Sequence, residues 1–291
     1  MAGLQDIRRR IRSVKNTQQV TKAMKMISAV KLRKSKERLL ALRPYSNKMT
    51  EVVRSVVARF QGGADAIQSP LAQAFLAPRE EKRIRLVVIA SDKGLCGGFN
   101  ANVLRQATQF VHESTGELAH LDVVGKRALE WARKGGYTVD QEFLGAALPN
   151  FAHLAEQISA QAARQYESGE IDALYVIYNY FSSALTQLPM VHRIFPMQID
   201  DREPDPGGVP HLLEPSPTAV LSALLPRFID TTFLSTLLES SASEHGARMA
   251  AMDKASSNAE DMIARLTLHM NKIRQASITN QIIEIVSGAN A

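Results

Sequence analysis

The chain has 291 residues, about two domains by length, with 45% apolar and 22% charged residues, a usage that excludes disordered, collagen-like and mucin-like classes. The single Cys96 can make no internal disulfide and no Cys/His cluster has metal-ligand spacing, so neither staples nor structural zinc are expected and a reducing compartment fits. The net charge of +6 is uneven: residues 1–59 hold 16 Lys and Arg against three acids, or +13, and the rest of the chain is −7. Such a basic arm faces nucleic acid, anionic lipid or a carboxylate-rich protein, unless it is simply a solvated helix face. Residues 1–12 lack an apolar h-region, and no continuous apolar run approaches the ~18 residues of a membrane span, so a chain neither secreted nor membrane-spanning is expected.

In chain order, residues 3–59 read as helix. Leu4, Ile7, Ile11 and Val14 follow the spacing of a heptad seam, which resumes at Val20, Met24 and Ile27 after a phase shift through Thr17 and Gln18. A stripe this narrow asks for one partner helix. Pro44 removes an amide donor and predicts a kink or brief interruption near 42–45, and Gly62-Gly63 ends the element.

From about residue 82 the period changes. IRLVVIA (84–90) reads as a strand, SDKGLCGG as a turn-rich loop and NANVLRQATQFVHES as a helix. LDVVG (121–125) with KRALEWARKGG repeats the unit, the segment from 148 supplies a further helix and then the strand DALYVIYNYF, and 186–197 gives a last strand. Strands alternating with helices predict a mostly parallel sheet covered on both faces. The proline- and glycine-rich stretch 200–217 reads as a loop.

Residues 218–287 are helical again, with no proline after Pro226 and only Gly246 before Gly288. Some 60 residues at 1.5 Å each span about 90 Å, more than a compact core. Met249, Met252, Ser256, Ala259, Ile263, Leu266, Met270, Ile273 and Ser277 alternate strictly by three and four, the spacing of a left-handed coiled coil. The fold class expected is therefore mixed α+β and α/β: a long antiparallel coiled coil of the N-terminal (1–60) and C-terminal (218–291) helices, with a central Rossmann-like domain over 82–200 and a loop over 201–217. The picture is a rod with a globular foot. A coiled coil that dimerises two chains fits the same spacing.

The candidate chemistry is sparse. Loop 91–100 sits where a phosphate-binding turn would lie, but it matches neither the Walker nor the dinucleotide pattern, which favours tight-turn glycines. Cys96 has no base assigned to it by any signature. Glu80-Glu81 and Asp200-Asp201 read as solvated charge. The basic arm holds only Tyr45 and Phe60 as aromatics, too few for a single-strand binder, which leaves an acidic protein surface or lipid headgroups. Two further classes stay open: a small α/β enzyme that binds a phosphorylated ligand at 91–100, and a basic coiled-coil nucleic-acid protein with steep salt dependence.

Three blocks carry a resemblance: MAGLQDIRRRIRSVKNTQQVTKAMKMISAVKLRKSK at the start, SDKGLCGGFN in the middle, and SEHGARMAAMDKASSNAEDMI with NKIRQASITNQIIEIVSGA at the end. Together and in this order they resemble the gamma subunit of the bacterial F-type ATP synthase. The resemblance implies a non-catalytic rotor shaft with no cofactor or metal, set inside a ring of alpha and beta subunits. It implies contacts with the epsilon subunit and the membrane rotor ring of c subunits, no nucleic acid, and a peripheral place on the cytoplasmic face of the inner membrane. Rotation of such a shaft would take the beta-subunit sites through states of different nucleotide affinity, coupling proton flow to ATP synthesis. Carried over by matching positions, Lys22, Met24, Lys25, Arg248, Arg274, Gln275 and Thr279 would face beta-subunit levers and the surrounding sleeve. No cysteine pair of the kind that switches chloroplast relatives is present.

Overall fold

The computed structural model describes residues 2–61, 79–184, 186–197 and 213–289. Helix α1 (Ala2–Gln61) is followed by β1 (Arg83–Ile89), α2 (Phe99–Glu113), β2 (Glu117–Val124), α3 (Lys126–Gly135) and β3 (Gln141–Phe143). A 3-10 turn (Leu148–Asn150), α4 (Phe151–Glu167), β4 (Ala173–Phe181), β5 (Gln187–Phe195) and α5 (Pro217–Ala289) complete the order. The chain divides into two compact units, one made of residues 1–29 with 248–291 and the other of residues 30–247. The proline-rich stretch lies largely outside the described residues, as do Gly62, Gly63 and Asp200-Asp201.

The second unit is built on a five-stranded sheet of order β3-β2-β1-β4-β5. β3, β2, β1 and β4 run parallel, and β5 closes an antiparallel hairpin on β4. Edge position explains why β5 tolerates Pro189, which has no amide to give a further strand. Alternate residues of the central strands feed two cores, as a parallel sheet requires. Leu86, Val88, Leu121, Val123 and Ile177 meet α2 and α3 on one face. Val87, Ile89, Leu174 and Val176 meet α4 on the other, together with Leu39, Val53 and Val56 of α1 and Leu221, Leu225, Ile229 and Phe233 of α5. The long helices therefore complete this core. Ser35 and Ser241 bring their hydroxyls to 3.0 Å, and Thr50 and Val53 line one cleft with Phe228 and Thr232, so α1 and α5 run antiparallel within this unit.

The mixed fold expected from the strand-helix alternation is observed, with three differences of detail. α1 runs unbroken through Pro44, whose side chain is exposed, so water can take the Leu40 carbonyl left without a donor. β3 is only three residues long, too short to show a period. α5 contains an 18-residue window of mean hydropathy 1.2, long and apolar enough to cross a membrane. The run-by-run reading misses that window because Ser and Thr interrupt its apolar residues. Leu221, Leu225, Ile229, Phe233, Leu237 and Leu238 of the same helix are core residues, the usual source of such a composition.

Arg85, in the central strand β1, is fully buried and pairs with the equally buried Asp122 of β2, with Nη2 at 2.6 Å and Nε at 2.9 Å from Oδ2. The register places them on neighbouring strands, and Arg85 also donates to Gln165 of α4. Charge so far from water survives only as a pair.

Candidate functional site

In the first unit the two helices meet along a seam in which small and polar residues are interspersed among apolar ones. Thr21 Oγ1 and Ser256 Oγ lie 2.7 Å apart, and the Lys25 ammonium donates to Asp253 Oδ1 at 2.6 Å. Partner numbers fall on α5 as they rise on α1, so the pairing is antiparallel here also. On α5 burial follows the predicted positions as far as Ile273: Met252, Ser256 and Ala259 are buried, Met249, Ile263, Leu266, Met270 and Ile273 are half-buried, and the predicted seam residue Ser277 is exposed. The pairing puts Leu4 opposite about Ile273, so α5 outruns its partner. From Arg274 onward its described side chains are all exposed.

On α1 the seam keeps one phase. It runs through Leu4, Ile7, Ile11, Val14, Gln18, Thr21, Met24 with Lys25, and Ser28. The expected shift to Val20 and Ile27 is thus corrected: both point outward, each 58% exposed. The heptad simply continues with polar residues where the shift was expected. Hydroxyls fit at the seam because they bond back to the helix, Thr21 to Gln18 O at 3.0 Å, Ser28 to Met24 O at 2.8 Å and Ser256 to Met252 O at 2.8 Å.

The outer surface of this helix pair and the overhanging end of α5 carry apolar side chains. Val20, Met26 and Ile27 on α1, and Met262, Leu268, Ile278, Ile282, Ile283, Ile285 and Val286 on α5, are exposed, with Leu268 and Ile285 reaching 71%. Single exposed apolar residues need no explanation, but a set along one element marks a surface built to be covered. Reading the seam alone misses these residues. The surplus of Ile and Met off the three-four positions was their signal.

The seven candidate residues fall at separate levels of the first unit. Lys22, Met24 and Lys25 occupy one level of α1, near Ser256. Lys22 is exposed and Met24 half-buried, whereas Lys25 is held by Asp253. Arg248 is buried. Arg274, Gln275 and Thr279 are exposed on the overhanging part of α5, about 39 Å along the helix from Arg248. The Thr279 hydroxyl bonds to Gln275 O at 3.0 Å.

In the second unit, loop 91–100 is filled by its own groups. Asn100 Oδ1 accepts the Ser91 amide at 3.0 Å, the Ser91 hydroxyl donates to Lys93 O at 2.6 Å, and Asn100 Nδ2 reaches Cys96 Sγ at 3.1 Å. The Asp92 carboxylate accepts the amides of Lys126, at the start of α3, and Gly145, both at 3.1 Å. The chain's own carboxylate therefore sits at the start of α3, while loop 91–100 itself leads into α2. Gly125 is required beside it: at φ +90, a Cβ there would come within 2.4 Å of Ala90 O. Cys96 is buried, with Ser91, Lys93 and Asn100 as its polar neighbours, which supply no general base. Among the described residues no group of His, Cys, Asp or Glu has the makings of a metal site.

Glu81 differs from the solvated charge expected of it. It accepts the Tyr175 hydroxyl at 2.8 Å and Arg193 Nη1 at 3.0 Å, half-buried against the sheet. Glu80 pairs with Lys82 at 3.0 Å on the surface. Glu239 of α5 is buried with Oε2 unpartnered, and burial holds its carboxyl above the ordinary range against the opposing effects of the Tyr178 hydroxyl and Arg43.

Comparison with known proteins gives a consistent result. The family described as ATP synthase matches residues 3–291. The ATP synthase gamma chain of Pelotomaculum thermopropionicum is 44% identical over the whole of this chain and 99% of its own length. That of Solibacter usitatus is 45% identical with the same coverage. Among solved structures, a chain of the Euglena gracilis mitochondrial ATP synthase, OSCP/F1/c-ring in rotational state 3, aligns with TM-score 0.66 at 18% identity, covering 100% of this chain and 94% of the other. A chain of the Tetrahymena thermophila central stalk/c-ring aligns with TM-score 0.57 at 23% identity, covering 81% and 99%. These structural likenesses carry the fold.

Proposed function

Since this chain belongs to the ATP synthase gamma-chain family, we propose that it is the central-stalk rotor subunit of a proton-translocating F-type ATP synthase, non-catalytic itself. In this reading the antiparallel helices of the first unit supercoil into a shaft inside a ring of alpha and beta subunits. Its rotation carries the beta-subunit sites through their nucleotide affinities and so couples proton flow to ATP synthesis. The observation that carries the reading is the set of outward Val, Ile, Leu and Met on the helix pair, whose own seam is partly Ser and Thr, and on the α5 overhang beyond it. A rotor inside an apolar sleeve needs contact area without fixed polar partners, and that surface provides it.

The remaining assignments belong to the same reading. Lys22, Met24, Lys25, Arg248, Arg274, Gln275 and Thr279 meet the beta levers and the sleeve. The epsilon subunit and the c ring are the other partners. The chain is peripheral, on the cytoplasmic face of the inner membrane, without spanning it. Moving a site from 1:99 to 99:1 takes about 5.5 kcal/mol of differential binding, whereas an exposed ion pair supplies about 0–1 kcal/mol. Torque therefore rests on helix stiffness and asymmetric bulk, and the +13 arm guides acidic levers over the surface. Coexpression with alpha and beta subunits tests this: the three are expected to copurify with ATPase activity that depends on this chain. Failure to copurify, or activity indifferent to its presence, would overturn the reading.

A further inference from the structure

A cleft of about 440 Å3 in the second unit lies outside the carboxyl ends of β1 and β2, lined there by Ile89, Ala90, Val124 and Gly125. Its size falls in the range of small-molecule sites, and this edge of an open α/β sheet is where such folds hold ligands. The rotor reading makes no use of it.

The lining has two characters. Lys31, Lys34 and Arg38 from one exposed face of α1 and Lys93 from the β1–α2 loop bring four cations to it. Lys31 and Lys34 form no ion pair among the described residues, while Arg38 is anchored by donating to Leu148 O at 2.7 Å. Two acids also line the cleft, but the Asp92 carboxylate is taken up by the Lys126 and Gly145 amides, and Glu244, like Lys93 and His245, already has a partner. The other part is apolar, with Leu148, Phe151 and Leu237. Cations beside an apolar wall complement a molecule that is anionic at one end and flat and apolar at the other.

We propose that this cleft binds a small phosphate ester of an aromatic or nucleoside group, its phosphates against Lys31, Lys34 and Lys93 and its ring against Leu148 and Phe151. The phosphates are held by side chains, since at the start of α3 the Lys126 amide already donates to Asp92 and the Arg127 amide to Ser91 O. A ligand so placed touches α1, α5 and the β1–α2 loop at once and ties the long helices to the sheet. The site binds and does not turn its ligand over.

Titration calorimetry on the purified full chain at fixed ionic strength, with ADP, pyrophosphate and adenosine as probes, tests the proposal. ADP is expected to bind with a dissociation constant below about 1 mM, more tightly than pyrophosphate or adenosine. Lys31→Gln with Lys34→Gln, and separately Lys93→Gln, should weaken ADP by about tenfold or more, with helical content unchanged by circular dichroism. A charge-matched control outside the cleft, Lys134→Gln with Lys254→Gln, should stay within about twofold of the parent. No binding by ADP, equal binding by pyrophosphate, or an equal loss in the control would each overturn the assignment. Copurification with alpha and beta subunits is a separate measurement, so the rotor reading stands or falls independently.

Discussion

Between residues 30 and 61, α1 turns Leu39, Met49, Val53, Val56 and Val57 into a core that it shares with Leu221, Leu225, Ile229 and Phe233 of α5. Between residues 2 and 29 the same helix gives its seam Gln18, Thr21 and Ser28, and sends Val20, Met26 and Ile27 outward. α5 changes in the same way, from the buried Phe233 and Leu237 to the seam residues Ser256 and Ala259 and an exposed Leu268. One helix can therefore follow two packing rules along its length. Where the chain supplies its own partner layers, large apolar residues face inward. Where it supplies a single partner helix, small and polar residues share the seam with large apolar ones, and further large apolar side chains stay outside it for another surface.

The contrast can be broken from either side. Asp122→Ala would leave Arg85 charged and buried without its partner, and is expected to destabilise the second unit by about 3–5 kcal/mol in urea unfolding. Ile263→Pro, in the middle of the first unit's seam, should cost about 3 kcal/mol or more locally and abolish coupling in an assembled complex, measured as ATP-driven proton pumping. Persistence of coupling would remove the shaft from the mechanism.

Milder changes sharpen it. Ile27→Asp with Ile283→Asp should alter the stability of the chain alone by no more than about 0.5 kcal/mol each, yet reduce its recovery with alpha and beta subunits. A destabilisation like that of a core substitution would show that these residues are covered within the chain itself. Lys25→Ala, which removes the partly exposed pair with Asp253, should cost at most about 1 kcal/mol and reduce coupling only slightly. Glu239 gives a pH test of the second unit. Burial raises its carboxyl in the folded chain, so the stability tied to that proton is present below the unfolded value and lost as pH rises through the folded one. Glu239→Gln stays neutral, so it should match the parent near about pH 4 and exceed it in melting temperature near about pH 8.

The long terminal helices, most of the α5 seam and the four longer strands are legible in the amino-acid order, because each shows a repeating period over enough residues to be counted. That order also carried the family, through three blocks spread over both ends and the middle. Folding settled what periodicity cannot express. The three-residue β3 has no period to detect, and Thr21 and Ser28 hold the seam where Val20 and Ile27 were expected because hydroxyls that bond back to their own helix leave room for close contact. That Asp92 caps α3 and Glu81 holds Tyr175 and Arg193 also needed coordinates, because those partners lie between 34 and 112 positions apart in the chain. Local pattern fixes which face of an element is apolar, and only the folded chain shows which of those faces it covers itself and which it leaves for a neighbour.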